Sequence, residues 1–214
     1  MASMVGQGDD LRTARVRRGL KLIAGGLGIL AVLAVLLIAA GVFDPQPLGP
    51  LIQTDRLAPQ GLQQPGEMLI PLSVPWASGA VPSRFSVRLK AAYQEGELDS
   101  GWGLALGRDS SRLVVALSPL SYVAIRQDEK DGQPAFLLPW QTWPHVRPGP
   151  AENELWLDVA QDGKGQAAVT VWINRELLWR GELDQAPDEL WLWLSTYGAA
   201  VTVDFQSLEW FSAP

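Results

Sequence analysis

Apolar residues run unbroken by charge or proline from Leu22 to Val42, LIAGGLGILAVLAVLLIAAGV. At about 1.5 Å of rise per residue, roughly 21 residues make a helix of about 31 Å, the thickness of a bilayer's hydrocarbon core, which predicts a membrane-spanning helix over 22–43. The pattern then breaks: across 44–68, Pro45, Pro47, Pro50, Pro59 and Pro65 stand among glutamines with no sustained period. Prolines discourage both helix continuation and a long central strand, so this stretch predicts an extended stalk with one short strand at Leu51 to Gln53. From Leu69 onward short segments alternate with period two. The clearest is Phe85, Val87, Leu89, Ala91 and Tyr93 interleaved with Ser86, Arg88, Lys90, Ala92 and Gln94, which is what a half-buried strand requires. Further strands are predicted at Trp102 to Leu106, Arg112 to Leu117, Ser121 to Gln127, Phe136 to Trp140, Glu154 to Ala160, Ala167 to Ile173, Glu176 to Leu183, Glu189 to Ser195 and Ala200 to Trp210. About ten short strands with tight connections predict an all-β, antiparallel sandwich or barrel over 69–214.

Charge supplies an orientation. The 1–21 segment carries Arg12, Arg15, Arg17, Arg18 and Lys21 directly against the apolar run. By the positive-inside rule that end stays cytoplasmic and the C-terminal domain is extracytoplasmic, with membrane lipid as the partner of 22–43. A cleaved signal peptide is the competing reading, since Ala39-Ala40-Gly41 offers small residues, but signal cores usually span about 7 to 15 residues and this run is longer. Arg17-Arg18 resembles a twin-arginine export signal, and an ordinary anchor shows the same pair. Ala24 to Gly28 has small-xxx-small spacing, a route to oligomerisation that the general abundance of alanine and glycine in spanning helices also explains. The whole chain carries net charge −6, and the acidic excess lies beyond the run, which leaves no basic surface for nucleic acid. Cysteine is absent, which removes disulfides, thiolate metal sites and cysteine nucleophiles.

The order Gly101-Trp102-Gly103-Leu104, Asn153-Glu154-Leu155-Trp156-Leu157-Asp158-Val159, Val169-Thr170-Val171-Trp172-Ile173-Asn174 and Val201-Thr202-Val203-Asp204-Phe205 resembles the bacterial concanavalin A-like lectin/glucanase superfamily. The resemblance covers roughly residues 69 to 212 and implies a laminin-G-like jelly roll. One departure is that the family's Asn-Gly hairpin is here Asn174-Arg175, which leads to the expectation of a different turn, because arginine suits positive φ poorly.

Alternation sorts the C-terminal strands into two faces. Leu155, Leu157 and Val159, Val169, Val171 and Ile173, Leu190, Leu192 and Leu194, and Val201, Val203 and Phe205 form the expected core. The opposite positions hold Trp156, Asp158, Trp172, Asn174, Trp191 and Trp193, with Thr170, Thr202, Asp204 and Gln206. Indoles stack on apolar ring faces and the polar side chains supply directed hydrogen bonds, so these six residues are the binding candidates. A protein partner in a membrane assembly is the foremost expectation, because tryptophan is enriched among interface hot spots. A glycan is the alternative. A third reading is that loops, or Trp76, Trp140 and Trp143, cover the indoles; a fourth seats some of them at the bilayer interface.

Catalytic chemistry finds little support. Glycosidases pair two carboxyl groups, and the glucanase branch carries Glu-x-Asp-x-x-Glu. Glu97-Leu98-Asp99 begins that pattern, but Trp102 stands where the second glutamate belongs, so a non-catalytic binding module is expected and a divergent glycoside hydrolase is the alternative. Glu152 and Glu154 read as strand-edge residues, and His145, the only histidine, as a loop residue. No cofactor is expected. Calcium stays open through the lectin resemblance, since Asp128-Glu129-Lys130-Asp131-Gly132 lacks EF-hand spacing and no ligands are assigned.

Overall fold

The computed structural model describes residues 26–42, 44–76, 81–108, 111–129 and 134–212. The chain divides into two units, Met1–Pro45 and Gln46–Pro214.

In the first unit residues 26–39 are helical. The helix ends where Gly41 takes φ 68. Val42 N–H then donates to Leu37 O at 3.1 Å and Gly41 N–H to Ile38 O at 3.0 Å, the paired bonds that satisfy the last carbonyls of a helix. Its apolar side chains, among them Leu27, Ile29, Leu30 and Ile38, are exposed. Among the described residues no helix is long and apolar enough to cross a membrane; residues 1–25 and 43, which include parts of the expected span and basic segment, lie outside them.

The second unit is all-β, with thirteen strands in two antiparallel sheets among the described residues. Sheet I holds β1 (Leu51–Arg56), β2 (Gln60–Leu62), β4 (Arg84–Gly96), β9 (Asn153–Gln161), β10 (Ala167–Ile173), β11 (Glu176–Leu183) and β13 (Val201–Ser212). Its order is β1-β13-β4-β9-β10-β11, with β2 also paired to β13. Sheet II holds β3 (Gly66–Pro71), β5 (Ser100–Arg108), β6 (Ser111–Leu117), β7 (Tyr122–Asp128), β8 (Ala135–Thr142) and β12 (Glu189–Thr196), in the order β3-β12-β5-β6-β7-β8.

The period-two positions become the core. Leu155, Leu157, Val159, Val169, Val171, Ile173, Leu190, Leu192, Leu194, Val201, Val203 and Phe205 are all buried and share one cluster with Phe85, Val87, Leu89 and Trp102. Trp102 meets Phe205 edge-on at 6.4 Å between the sheets, the geometry that aromatic quadrupoles favour. Trp76 packs on Phe85 at 5.0 Å and edge-on against Trp210 at 5.3 Å, closing one flank.

The sandwich begins earlier than the pattern predicts. Residues 51–71, taken in large part for a stalk, supply three strands: β1 and β2 pair with β13, and β3 borders β12. Each lies at the margin of its sheet or pairs briefly, which is where proline is tolerated, and Pro59, Pro65 and Pro71 fall at strand ends or between strands. Side chains lock the segment in place. Asp55 Oδ2 accepts from the Trp210 indole at 3.0 Å, and Leu48 N–H donates to Ser86 Oγ at 2.7 Å.

The β10–β11 hairpin also corrects an expectation. Asn174 has φ 51 and Arg175 φ 71, and Ile173 pairs with Glu176 across them. Two successive positive φ values are the tight turn that Asn-Gly makes, so Arg175 does not change it. The Asn174 side chain holds the conformation, with Oδ1 accepting from Glu154 N–H at 2.9 Å and Nδ2 donating to His145 O at 2.6 Å and Asn153 Oδ1 at 2.8 Å.

Candidate functional site

The six candidates divide between the two outer faces of the sandwich. Trp156, Asp158, Trp172 and Asn174 stand on or beside β9 and β10 of sheet I, and Trp191 and Trp193 on β12 of sheet II. Alternation gives the parity of each residue but not its sheet, so the six do not form one surface.

On sheet I the polar groups are consumed internally. Trp156 is 1 % exposed, in register with Trp172 on the next strand, their rings 5.8 Å apart and tilted by 32°. Asp158 accepts from the Trp156 indole at 2.7 Å, the Trp172 indole at 2.9 Å and the Ser86 hydroxyl at 2.5 Å. A buried indole N–H without a partner costs about 1–3 kcal/mol, and one carboxylate removes that cost twice. Asn174 is likewise spent on the hairpin. Arg88, opposite Trp156 in register, is ion-paired with Glu209 and lies 3.8 Å from Glu154. Around Trp156 and Trp172 this face is a closed polar network, while farther along the same sheet Lys90, Asp204 and Gln206 border a second cleft of about 600 Å³.

On sheet II the strands carry small residues outward, and indoles lie over them. Ala105, Val114, Ala116 and Trp193 form a second buried cluster, with Leu69, Trp140 and Trp191 packed against it. Trp193 is 2 % exposed. A Cβ on Gly101 would stand 2.9 Å from the Trp193 ring and 3.1 Å from Trp140, and one on Gly103 would stand 1.9 Å from Val115 O. Of the earlier tryptophans expected to cover the candidate indoles, Trp140 packs against the Trp193 cluster on sheet II. Trp76 and Trp143 pack on the central core instead.

Charges close the outer edge of this cluster. Arg126 lies 5.3 Å from the centre of the Trp193 ring, within cation–π range, and pairs with Glu67 at 2.5 Å and Asp128 at 2.9 Å. Trp193 N–H also donates to Glu67 at 3.2 Å. Burial by itself raises the Glu67 carboxyl, but the hydrogen bond and charge of Arg126, with Trp193 and Arg112 adding to them, leave it below its ordinary 4.5. Burial lowers Arg126, and Glu67 and Asp128 reverse this, holding the guanidinium above its usual value. Arg112 sits 5.9 Å from the Trp191 ring centre.

Beyond Trp140, sheet II opens into a cleft of about 610 Å³ lined by Asp99, Ser100, Ser118, Leu120, Tyr122, Trp140 and Tyr197. Its walls come from the start of β5, the β6–β7 connection, β8 and the end of β12. Three aromatic rings alternate with two hydroxyls and a carboxylate. Tyr197 is 60 % exposed and Tyr122 38 %, so their faces are open to a ligand. Ser100 is 4 % exposed, and its Oγ has no hydrogen-bond partner. The turn leading to Tyr122 is held by Ser121 at φ 64, with Ser121 N–H donating to Ser118 O at 3.0 Å. Behind Asp99, burial and the charges of Glu97 and Glu95 raise the Tyr93 hydroxyl, a mark of negative potential at this end of β4.

None of the six candidates lines this cleft. Its residues belong to strand ends and turns, where alternation says nothing. The signal available in the sequence was an aromatic residue beside each break, at Leu120-Ser121-Tyr122 and Thr196-Tyr197-Gly198. The partial glucanase pattern also resolves structurally: Trp102 is a core residue and Asp99 faces the cleft. His145 stacks near Trp143 at 5.7 Å. Among the described residues no three of His, Asp and Glu come together to hold a metal ion, and residues 130–133 of the acidic turn lie outside them.

No protein-family model matches the chain, and no curated protein matches it. Among solved structures it is similar to the alginate lyase Aly36B, at 8% identity over 72% of this chain and 80% of that one, with a TM-score of 0.51. It also aligns with the carbohydrate-binding module CBM66 from Bacillus subtilis, at 11% identity over 78% and 94% with a TM-score of 0.43. Sheep galectin-11 aligns at 15% identity over 70% and 99%, with a TM-score of 0.39. At such identities the likeness is one of fold. The β-sandwich is consistent with the lectin/glucanase-like jelly roll that the strand patterns resemble.

Proposed function

We propose that this protein is a non-catalytic carbohydrate-binding module, held at a membrane by residues 22–43 with its β-sandwich on the outer side. The observation that carries this reading is the open cleft of Trp140, Tyr122 and Tyr197 with Asp99, Ser100 and Ser118 between them. Pyranose rings offer an apolar face that stacks on aromatic rings and a rim of hydroxyls that meets directed polar groups. The fold, shared with an alginate lyase, is compatible with a polysaccharide ligand. A non-catalytic role fits a lining in which, among the described residues, Asp99 is the one carboxyl group, whereas glycoside hydrolysis usually employs two. The anchor rests on the sequence, in which 22–42 carry no charge and no proline.

The test is binding of the full chain to a panel of oligosaccharides, comparing wild type with Tyr197→Ala and Trp140→Ala. Retention of one glycan class by wild type and its loss in Tyr197→Ala, an exposed position whose truncation leaves the core intact, is the expected result. Unchanged binding in both variants places the ligand elsewhere.

Docking of a protein partner is the second reading, favoured by Leu120, which is 45 % exposed in the same lining. Co-purification of a stoichiometric protein that Tyr197→Ala releases, with no glycan bound, would select it.

A further inference from the structure

The charge around the cleft bears on which sugars it can hold. Among the described residues that line it, Asp99 is the only ionisable acid or base other than tyrosine, and no lysine or arginine contributes. A second carboxylate stands behind it. Glu97 Oε1 accepts from Asp99 N–H at 3.2 Å, and its Oε2 lies 2.6 Å from where a Cβ on Gly198 would stand, next to Tyr197. Two guanidinium groups on the same outer face do not answer this charge. Arg126 is held by Glu67 and Asp128, and Arg112 lies over Trp191.

The hydroxyls complete the pattern. Ser100 belongs to the lining, and its Oγ is buried without a hydrogen-bond partner. Ser118 Oγ accepts from Leu120 N–H at 3.2 Å and keeps its proton to donate. A sugar hydroxyl can donate to Asp99 and accept from a serine, whereas an ionised carboxylate can only accept. A uronate would also place its charge beside Asp99 and Glu97 with no cation in the lining to offset it.

We infer that the cleft selects uncharged pyranosides and rejects uronates. The inference rests on the glycan-binding reading and adds the chemical class of its ligand. It separates this chain from the alginate lyase whose fold it shares, since alginate is a polyuronate. Repulsion between like charges at the edge of a solvated cleft predicts roughly tenfold weaker binding of a uronic oligosaccharide than of a neutral one of the same length.

The experiment is calorimetric titration of the full chain, kept in a detergent without a sugar headgroup. The probes are neutral gluco-, manno-, galacto- and xylo-oligosaccharides set against oligomers of alginate and polygalacturonate of matched length. The expected result is binding of at least one neutral series, little dependence of that binding on salt, and roughly tenfold weaker uronate binding whose deficit shrinks at high salt. Asp99→Asn is expected to weaken the neutral ligand and narrow the gap between classes. Uronates binding as tightly as neutral sugars, with Tyr197→Ala abolishing both, overturns the charge selection and leaves glycan binding standing. An unchanged ratio in Asp99→Asn overturns it too. Absence of binding to every glycan overturns the glycan-binding reading itself.

Discussion

Arg175 shows how a single residue can be tolerated where geometry disfavours it. It occupies φ 71 in a two-residue turn, and a left-handed conformation costs a residue with a Cβ about 1–2 kcal/mol. The neighbouring Asn174 holds the hairpin through three hydrogen bonds, so the turn survives the cost. Arg175→Gly is expected to stabilise the domain by about 1 kcal/mol, less the contribution of the Arg175–Glu154 pair at 4.0 Å. Urea denaturation checks this, and a loss of stability would show that the side chain matters more than the backbone. The residue scale is also where site reading from sequence ran out. Trp156 and Asp158 carry the chemistry of a ligand site, yet Asp158 serves the two indoles and Ser86. Residue types reveal what a side chain can do, while its nearest neighbours decide what is left for it to do.

At the scale of elements, most strands from β4 to β13 were legible because they alternate, with one set of positions buried in the core, whereas β8 and β11 are largely exposed or half-buried and were marked by apolar runs between breaks. Of β1 to β3 only the short strand at Leu51 to Gln53, the start of β1, was legible, because these strands sit at sheet margins among prolines and bury only part of their side chains. Pairing was out of reach, and with it the separation of Trp172 from Trp193. β3 illustrates what holds such a margin. It pairs with β12 alone, and Glu67 ties it to Arg126 and Trp193. A carboxyl whose folded pKa is depressed stabilises the fold above its unfolded value and stops doing so as pH falls through the folded value. The Glu67 contribution is therefore present above its ordinary 4.5 and lost on acidification below it. Glu67→Gln is expected to lower stability at neutral pH and to flatten this acid-side loss. Thermal melts across the acid range check it, and parallel profiles for the two proteins would remove Glu67 from the account.

For the whole molecule, the apolar run at 22–42 and the all-β domain behind it were both legible from composition and period. The position of the cleft was not, since four separate strand ends and turns converge to form it. The proposed anchor makes a prediction independent of any ligand. Full-length protein is expected to stay with the membrane pellet through alkaline and high-salt washes, while protease added on the outer side digests the exposed chain and spares the basic N-terminus. Release by salt alone would indicate peripheral attachment and remove the anchor from the proposal.

β13 lies between β1 and β4 and also receives β2, so strands far apart in the sequence meet on it. A nascent chain that has reached β12 can already assemble every member of sheet II, but β1 and β2 have no partner and β4 has β9 alone. The growing polypeptide thus carries unsatisfied edges until Val201–Ser212 has been made. Stop codons or tags placed inside that segment should yield a sticky, half-closed product rather than a slightly shortened domain.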